Sequence, residues 1–276
     1  MVAGGSQPGS IGCRPGSTVN HTSWWLFLRF AQREVANRFA GSLLGGLWAF
    51  VHPLALLFIY SFVFTTVLRV RAIADSSVPY VVFVAVSLWP WMAFQEAVSR
   101  GTASVVANGA LVKKIPFAHE LVVYAAVASS YAVQLLGFAV ALGFIALTGG
   151  HLKPTGIGLL LFSLLATLSL ATGLALLLGA MQVFVRDTEQ ALGHVLAMLF
   201  YLCPILYSAS MMPDWMQTLM RLNPVAVLLE AGRSALLNGR PWPNLVEAAS
   251  AIFCLLVLLL GRLVFHRLSP HFEEAL

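Results

Sequence analysis

Long apolar stretches alternate with short polar ones along the chain and predict helices that cross a membrane. The hydrocarbon core of a bilayer is about 30 Å thick, so a helix crosses it in about 20 residues. Six stretches reach roughly this length with few charged residues, namely residues 50–68, 78–97, 121–147, 157–184, 191–210 and 245–265. The pattern therefore predicts an all-α integral membrane protein with six transmembrane helices.

An amphipathic stripe precedes the first of these stretches. Its apolar members recur at helical spacing, and they are Trp24, Phe27, Leu28, Ala31, Val35 and Phe39. Arg29 and Arg33 fall on the opposite face, so residues 21–40 are expected to form an interface helix in the headgroup plane. Two roles stay open for it. It is either a plain membrane anchor or a basic face that meets anionic lipid or a cytoplasmic partner.

Residues 225–237, between the fifth and sixth spans, form a different kind of segment. They are too few to cross a bilayer, and Glu230 and Arg233 make the segment polar. Two interpretations remain. The segment is either a short interfacial helix on the membrane surface or half of a re-entrant helix pair with residues 216–222, hinged at Asn223-Pro224.

The distribution of Lys and Arg orients the chain. Six spans place both termini on one side, and with a cytoplasmic N-terminus ten basic residues fall inside and six outside. That bias is typical of cytoplasmic loops. We therefore predict cytoplasmic termini, a transmembrane domain over residues 41–268 and a cytoplasmic tail over 269–276. Residues 1–20 are polar and rich in Gly, Ser and Pro, so we expect disorder there and no removable signal peptide.

The composition excludes an ordinary soluble domain. The 276 residues are 59% apolar and only 10% charged, whereas soluble domains have about 25% charged residues. The mean hydropathy is +0.85. The net charge of +5 is spread along the chain, which argues against a concentrated basic face for nucleic acid.

Catalytic and metal-binding patterns are missing from the sequence. The seven His residues form no HxxxH or HExxH pair, and the acidic residues form no DxxD or DxxxD pair for Mg²⁺. Neither a GxSxG elbow nor a GxxxxGKS/T phosphate loop occurs. We therefore predict no catalytic residue, no metal site and no cofactor on this chain. The spans are almost bare of ionisable residues, which disfavours an ion-driven transporter.

Aromatic residues are the most prominent chemical feature of the predicted spans. The candidates for lining a substrate channel are Phe58, Tyr60, Phe62, Tyr80, Phe83, Trp91, Phe94, Phe200, Tyr201 and Tyr207. Flat apolar rings suit sugars, because the C–H faces of a pyranose pack on them without a fixed direction and a polymer can slide past. The alternative is that these rings belong to interfacial belts or pack against neighbouring helices.

Four strings in order along the chain resemble elements of the type-2 ABC export permeases, in the polysaccharide and polyol-phosphate branch. Residues 38–53 read RFAGSLLGGLWAFVHP and are similar to the start of the first span in that family. Residues 88–117 contain Leu-Trp-Pro-Trp, Ser-Arg-Gly and Leu-Val-Lys-Lys-Ile-Pro-Phe. Residues 183–187 read VFVRD, and Pro-Ile-Leu-Tyr followed by Leu-Asn-Pro completes the series at 204–224. The resemblance covers roughly residues 24–268.

The resemblance implies a homodimer of permeases with two cytoplasmic ABC ATPase subunits, which bind the ATP and Mg²⁺. It implies export of a lipid-linked O-antigen, another glycan, a capsular polysaccharide or a teichoic acid across the cytoplasmic (inner) membrane. The Lys113-Lys114 pair is closer to the O-antigen and teichoic-acid permeases than to capsule permeases. The predicted function is therefore that of a membrane-spanning permease subunit for a polysaccharide such as O-antigen, not an enzyme.

The same resemblance implies where ATP hydrolysis is coupled to transport. The main coupling segment is residues 104–116, and the Arg186-Asp187 turn and the Arg29/Arg33 face are further contacts. The residues assigned to coupling are Arg29, Arg33, Ser104, Val105, Asn108, Leu111, Lys113, Lys114, Arg186 and Asp187. The pore would lie between two copies, formed by spans one, two and five, with residues 216–237 as an outer gate.

Two other classes of function stay open. One is a type-2 ABC exporter of a drug or other lipid. The other is a membrane enzyme that acts on polyprenyl-linked substrates, although the sequence lacks the acidic pairs that such chemistry uses.

Overall fold

The computed structural model describes residues 20–39, 41, 45–67, 78–114, 117–148, 152–208 and 211–276. Several predictions fall outside these ranges. They concern the N-terminal residues 1–19, Leu68 at the end of the first predicted span, Ile115 and Pro116 of the coupling segment, and residues 209–210 of the fifth predicted span.

Every regular element in the described ranges is helical. The helices are α1 Asn20–Phe39, α2 Trp48–Phe62, α3 Tyr80–Ala107, α4 Gly109–Val112, α5 Glu120–Leu147, α6 Ile157–Phe184, α7 Thr188–Leu202, α8 Asp214–Leu222, α9 Pro224–Asn238, α10 Leu245–Leu268 and α11 Phe272–Ala275. A turn of 3-10 helix precedes α2 and another precedes α6, and a π-helical turn over Val63–Val67 continues α2. The all-α expectation is thus confirmed for the described part of the chain.

Five helical segments in the described ranges are long and apolar enough to cross a membrane. They are Gly45–Val67, Tyr80–Ala107, Glu120–Leu147, Pro154–Phe184 and Leu245–Ala275. They correspond to the first, second, third, fourth and sixth predicted spans. The structure supports a membrane protein built from multiple apolar helices, whereas the count of six spans is not confirmed.

The fifth predicted span is the one that falls short. Helix α7 has 15 residues and ends at Leu202, and Cys203 is extended, with φ −88° and ψ 145°. Pro204 explains this end, because a proline disfavours helical geometry in the residue before it and has no N–H for the helical ladder. The apolar run therefore continues past the helix as an irregular segment.

Glycines let the central helices approach closely. A Cβ atom on Gly261 of α10 would lie 2.2 Å from the carbonyl oxygen of Gly173 on α6, and one on Gly101 of α3 would lie 2.5 Å from Cβ of Ala175. Small residues at helix crossings are typical of packing in membranes, where van der Waals contact rather than the hydrophobic effect joins the helices. Helix α6 therefore packs closely against α3 on one side and against α10 on another.

The bundle has two ends with different contents. At one end, which we call the Lys113 end, lie α4, the turn between α6 and α7, and α11. At the opposite end, the Asn223 end, lie α8, α9 and the start of α3. Asn223 caps α9 by accepting hydrogen bonds from the backbone N–H groups of Val225 and Ala226, and α9 ends at Gly239 with φ +72°.

Candidate functional site

A cavity of about 1210 Å³ lies between α2, α3 and α7. Its wall is aromatic where the last turns of α2 and α7 meet the middle of α3, and polar where the end of α1 meets α3. It is several times larger than the cavity beside Lys113 and Arg186, and the helices around it are those that carry most of the predicted channel residues. It is therefore the candidate functional site.

Four of the predicted channel residues come together in this cavity. The rings of Tyr60 and Phe200 stack with centroids 5.7 Å apart, and Trp91 lies 5.9 Å from Phe200. Tyr201 meets Phe200 edge to face at 5.2 Å and lines the cavity as well. Residues from the first, second and fifth predicted spans thus form one continuous aromatic wall.

The other predicted channel residues do not line this cavity. Tyr80, Phe83 and Phe94 are buried in the helical core, where Tyr80 donates a hydrogen bond to the carbonyl oxygen of Leu206 at 2.8 Å. Phe58 and Phe62 stack on each other on the exposed side of α2. Tyr207 is half-buried and donates to the carbonyl oxygen of Tyr201. The predicted channel residues therefore divide between the cavity, the core and the outer surface.

The polar end of the cavity is organised around the carboxylate of Glu96. It accepts hydrogen bonds from Arg38 of α1 at 2.9 Å, from Nε of Arg100 at 2.8 Å and from Gln134 of α5 at 2.6 Å. Three helices are joined at one carboxylate. Glu96 is not among the predicted site residues, and the polar Gln134 in an otherwise apolar span was a signal that could have pointed to this cluster.

The electrostatics of this cluster follow from its partial burial. Burial lowers the pKa of Arg38 from its ordinary value, and the nearby Glu96 carboxylate opposes that shift. Arg100 also lies 3.8 Å from Glu34 on α1. Paired charges of this kind persist in a low-dielectric site only because each has an opposite partner. The cluster therefore ties α1 to the cavity wall.

Predicted coupling residues gather at the Lys113 end. Ser104 and Val105 are buried in the last turns of α3, and Asn108 donates to the carbonyl oxygen of Ser104 at 2.9 Å where α3 ends. Helix α4 then adds a single turn that carries Leu111, and Lys113 and Lys114 follow it on the surface. The predicted short element before Pro116 is thus one turn of helix.

A smaller cavity of about 360 Å³ joins two of the predicted coupling parts. Lys113 and Arg186 both line it, together with Gly109, Gln182 and Leu276. Asp187, beside Arg186, is exposed. The third part lies apart from this cavity, because Arg29 and Arg33 are exposed on α1, with Arg29 4.8 Å from the Trp25 ring.

The Asn223 end is closed by α9. Arg233 is 3% exposed, donates to the carbonyl oxygen of Pro204 at 2.6 Å, pairs with Glu230 and lies 3.9 Å above the ring of Phe83. These contacts hold α9 against both the segment after α7 and the start of α3. The polar residues that made the segment too polar to cross a membrane are therefore the ones that fix its position in the fold.

The structure offers no candidate metal site within the ranges given above. Among the residues that it describes, no three His, Cys, Asp or Glu side chains come close enough together to hold an ion.

The chain belongs to a known transporter family. Residues 26–237 match the family described as ABC-2 type transporter, which is well over half of the chain. The match includes every helix around the large cavity as well as the α8–α9 pair. The fold of apolar helices and the family together define this chain as an ABC-2 permease.

Curated relatives place it nearer to one branch. The chain is 25% identical over 253 residues to an O-antigen export system permease protein RfbA of Klebsiella pneumoniae, which covers 91% of this chain and 95% of that protein. It is 26% identical over 231 residues to an RfbA of Myxococcus xanthus, covering 83% and 80%. It is also 22% identical over 229 residues to the polysialic acid transport protein KpsM of Escherichia coli, covering 83% and 88%.

Proposed function

We propose that this chain is the membrane-spanning permease subunit of an ATP-driven exporter of polysaccharide, with a lipid-linked glycan of the O-antigen class as its substrate. The observation that carries the proposal is the cavity between α2, α3 and α7, where Tyr60, Trp91, Phe200 and Tyr201 form an aromatic wall. Such a wall suits sugar rings and holds them without directional bonds. The names of the two RfbA relatives support the same substrate class.

The cavity needs a second surface to become a channel. It is bounded by α2 and α7, and the outer sides of these helices are exposed, including Phe58, Phe62 and Met198. A contiguous apolar surface of this kind is covered either by lipid or by protein. We propose that two copies of the chain meet here and enclose the path between them.

Helix α7 and the residues after it supply a sixth crossing in this proposal. The segment begins beside Arg186 at the Lys113 end, and Leu206 accepts the hydrogen bond of Tyr80 at the Asn223 end. Fifteen helical residues span roughly 22 Å, and the irregular residues after them carry the chain on to Leu206 at the Asn223 end. Together they cover a bilayer core of about 30 Å in this proposal. Six crossings put both termini on one side of the membrane. The basic residues Lys113, Lys114 and Arg186 favour the cytoplasmic side of the inner membrane for that end of the bundle.

The same orientation gives the surface for the ATPase partners. Two cytoplasmic ABC ATPase subunits would bind ATP and Mg²⁺ and dock at the Lys113 end, against α4 and the Arg186 turn. The exposed Arg29/Arg33 face of α1 lies on the helix that Arg38 ties to Glu96 in the cavity wall. Motion of α1 would thereby reach the cavity through one ion pair.

An export assay tests the proposal. In cells that lack this chain, a lipid-linked glycan should accumulate inside and surface glycan should be lost, and both should be restored by the chain together with its ATPase. The purified chain should co-purify with that ATPase and should move glycan only when ATP is supplied. Chemical turnover of a polyprenyl-linked substrate by the chain alone would contradict the proposal.

A second substrate class has one observation in its favour. The KpsM relative is named for transport of polysialic acid, an acidic polymer. The same assay separates the two classes, because an acidic capsule-type glycan would then accumulate in place of an O-antigen. A drug or simple lipid as the exported molecule would leave both glycans at the cell surface.

A further inference from the structure

We propose that residues 269–276 act as a clasp that holds α4, and the surface offered to the ATPase, in position. In this clasp Phe272 is the anchor and Leu276 is the brace. The proposal rests on the proposed function, because it concerns the step in which ATPase motion reaches the membrane helices. The sequence analysis treated these residues only as a cytoplasmic tail.

The anchor is a ring that has no access to solvent. Phe272 is 0% exposed although it lies in a helix of only four residues. Its ring is 5.3 Å from Phe265, 6.1 Å from Phe184 and 6.2 Å from His119. These three residues come from α10, from the end of α6 and from the segment just before α5. One side chain therefore joins three separate parts of the chain at the Lys113 end.

The brace lies on the first residue of α4. A Cβ atom on Gly109 would lie 3.5 Å from Cδ2 of Leu276 and 3.9 Å from its Cβ. Ala275 and Leu276 also line the smaller cavity with Lys113 and Arg186. The clasp thus touches α4 directly and borders Lys113 and Arg186, two of the basic residues that were assigned to coupling.

Aromatic contacts extend from the anchor to α1. His119 meets Phe117 edge to face at 5.2 Å, and Phe117 lies 5.6 Å from Phe30 of α1. Phe30 is on the helix that carries Arg29 and Arg33, and Phe184 comes two residues before Arg186. All three predicted coupling parts are therefore connected to Phe272 through rings or through α11 itself. Removing the anchor should let them move independently.

A merely stabilising segment would behave differently from a clasp. If residues 269–276 only add stability, their loss reduces the amount of folded complex, and export and ATP hydrolysis fall together. If they position α4, export falls more than ATP hydrolysis, because the ATPase still turns over but its motion is not transmitted. The ratio of glycan exported to ATP hydrolysed distinguishes the two roles.

The test measures that ratio together with the mobility of α4. The complex of the full chain with its ATPase carries Phe272→Ala or Leu276→Ala, with Glu274→Ala as a matched control at an exposed position of the same segment. A spin label on Ala110→Cys, in a Cys13→Ser background, reports the motion of α4 by electron paramagnetic resonance. Cys203 and Cys254 are buried and stay unlabelled.

The expected result has two parts. The label on α4 becomes more mobile in both clasp variants and not in the control, and export per ATP hydrolysed falls about tenfold for Phe272→Ala and about threefold for Leu276→Ala. The conservative Phe272→Leu restores most of the ratio. Should Phe272→Ala not assemble, the Leu276→Ala pair of measurements decides the matter alone.

Unchanged label mobility in an assembled variant overturns the clasp, and so does a fall of export and ATP hydrolysis in equal proportion. Failure of the proposed function gives a different result. In that case the parental complex moves no glycan, while the mobility of the α4 label still reports whether Phe272 and Leu276 hold it.

Discussion

Helix α3 and the helical segment Gly45–Val67, which contains α2, are both long and apolar enough to cross a membrane, yet they are buried to very different extents. In the most apolar stretch of the segment that contains α3, 78% of residues are buried inside the chain, against 11% for the segment that contains α2. Among the described residues of α2, only Ala49 and Pro53 are buried. Helix α3 is therefore a core element of one chain, whereas α2 keeps its outer surface for lipid or for a second copy.

The cavity lies between these two helices and takes something different from each. The buried helix supplies Trp91 and Glu96, whose positions are fixed by packing and by Arg38 and Gln134. The exposed helix supplies Tyr60, which stacks on Phe200 of α7. A wall that is fixed by packing within the chain therefore faces a wall that is mostly exposed. An exporter that opens for a polymer needs such a pair.

The largest expected effect is at the buried helix. Gly101→Leu places a side chain where a Cβ atom would already lie 2.5 Å from Ala175 and 2.7 Å from Val127. Overpacking by a few methylene groups costs about 1–3 kcal/mol and occasionally more, and a whole leucine side chain at so close a contact should exceed that range, so the melting temperature should fall well below that of the parent. The matched control is Gly143→Leu on α5, where nothing lies within 4 Å. Thermal unfolding in detergent measures both, and equal melting temperatures would contradict the buried role of α3.

The next effect is at the polar end of the cavity. Glu96→Ala leaves Arg38 and Arg100 without their shared carboxylate, and breaking a buried pair costs about 3–5 kcal/mol. The side chains of Arg38 and Glu96 are 12% and 19% exposed, so water screens part of the charge. We therefore expect a loss of about 2–3 kcal/mol in the free energy of unfolding.

A double variant sharpens this result. Arg38→Met with Glu96→Leu removes both charges of the more buried pair at once and should recover much of the lost stability, because Arg100 still has Glu34 3.8 Å away as a partner. If the double variant is no more stable than Glu96→Ala, the ion pair does not act as a unit. Denaturant titration in detergent gives both free energies.

A smaller effect should separate the two sides of the exposed helix. Tyr60→Ala removes a ring from the cavity and should slow polymer export about fivefold, because a pair of stacked aromatic side chains contributes only about 0.5–1.5 kcal/mol. The oligomeric state should stay unchanged. Phe58→Ala, on the outer side of the same helix, should lower the fraction of dimer. Export rates and light scattering of the detergent complex check the two outcomes. Dimer loss with Tyr60→Ala alone would reverse the assignment of the two faces.

The smallest effect is a pH dependence at the Lys113 end. Burial lowers the pKa of His119 below its ordinary value, and Glu273 opposes this shift. The folded state therefore favours the neutral imidazole, so its contribution to stability is complete above about pH 6.5 and decreases as the pH falls below that value. The melting temperature should fall more between about pH 7.5 and about pH 5.5 in the parent than in His119→Gln. Parallel curves for the two proteins would contradict this.

Much of the helical framework was predictable because it depends on local pattern. Apolar length predicted five of the spans found here, helical spacing predicted α1, and the short segment 225–237 between the last two predicted spans corresponds to α9. The fifth predicted span was too long as a helix, because the apolar run counted residues beyond Pro204, where the helix had already ended.

The candidate site was only partly predictable. Trp91 and Phe94 lie on one sector of α3, yet Trp91 borders the cavity while Phe94 is packed in the core. Periodicity identifies a shared face, but it does not say whether that face meets a cavity or a neighbouring helix. The clasp was missed for the same reason, since nothing local to Phe272 shows that α6 and α10 enclose its ring.

The amino-acid sequence by itself indicated that this is a membrane protein, and it indicated most of the helices, because hydropathy, spacing and prolines act over a few residues. Only the tertiary structure decided which polar groups meet. Glu96 is 58 positions from Arg38 and 38 from Gln134, and α9 reaches back 29 positions to place Arg233 on Pro204. Such pairs depend on how the helices cross. Close contacts between distant residues, such as Gly173 and Gly261, fix these crossings, and no short stretch of sequence contains both members of such a contact.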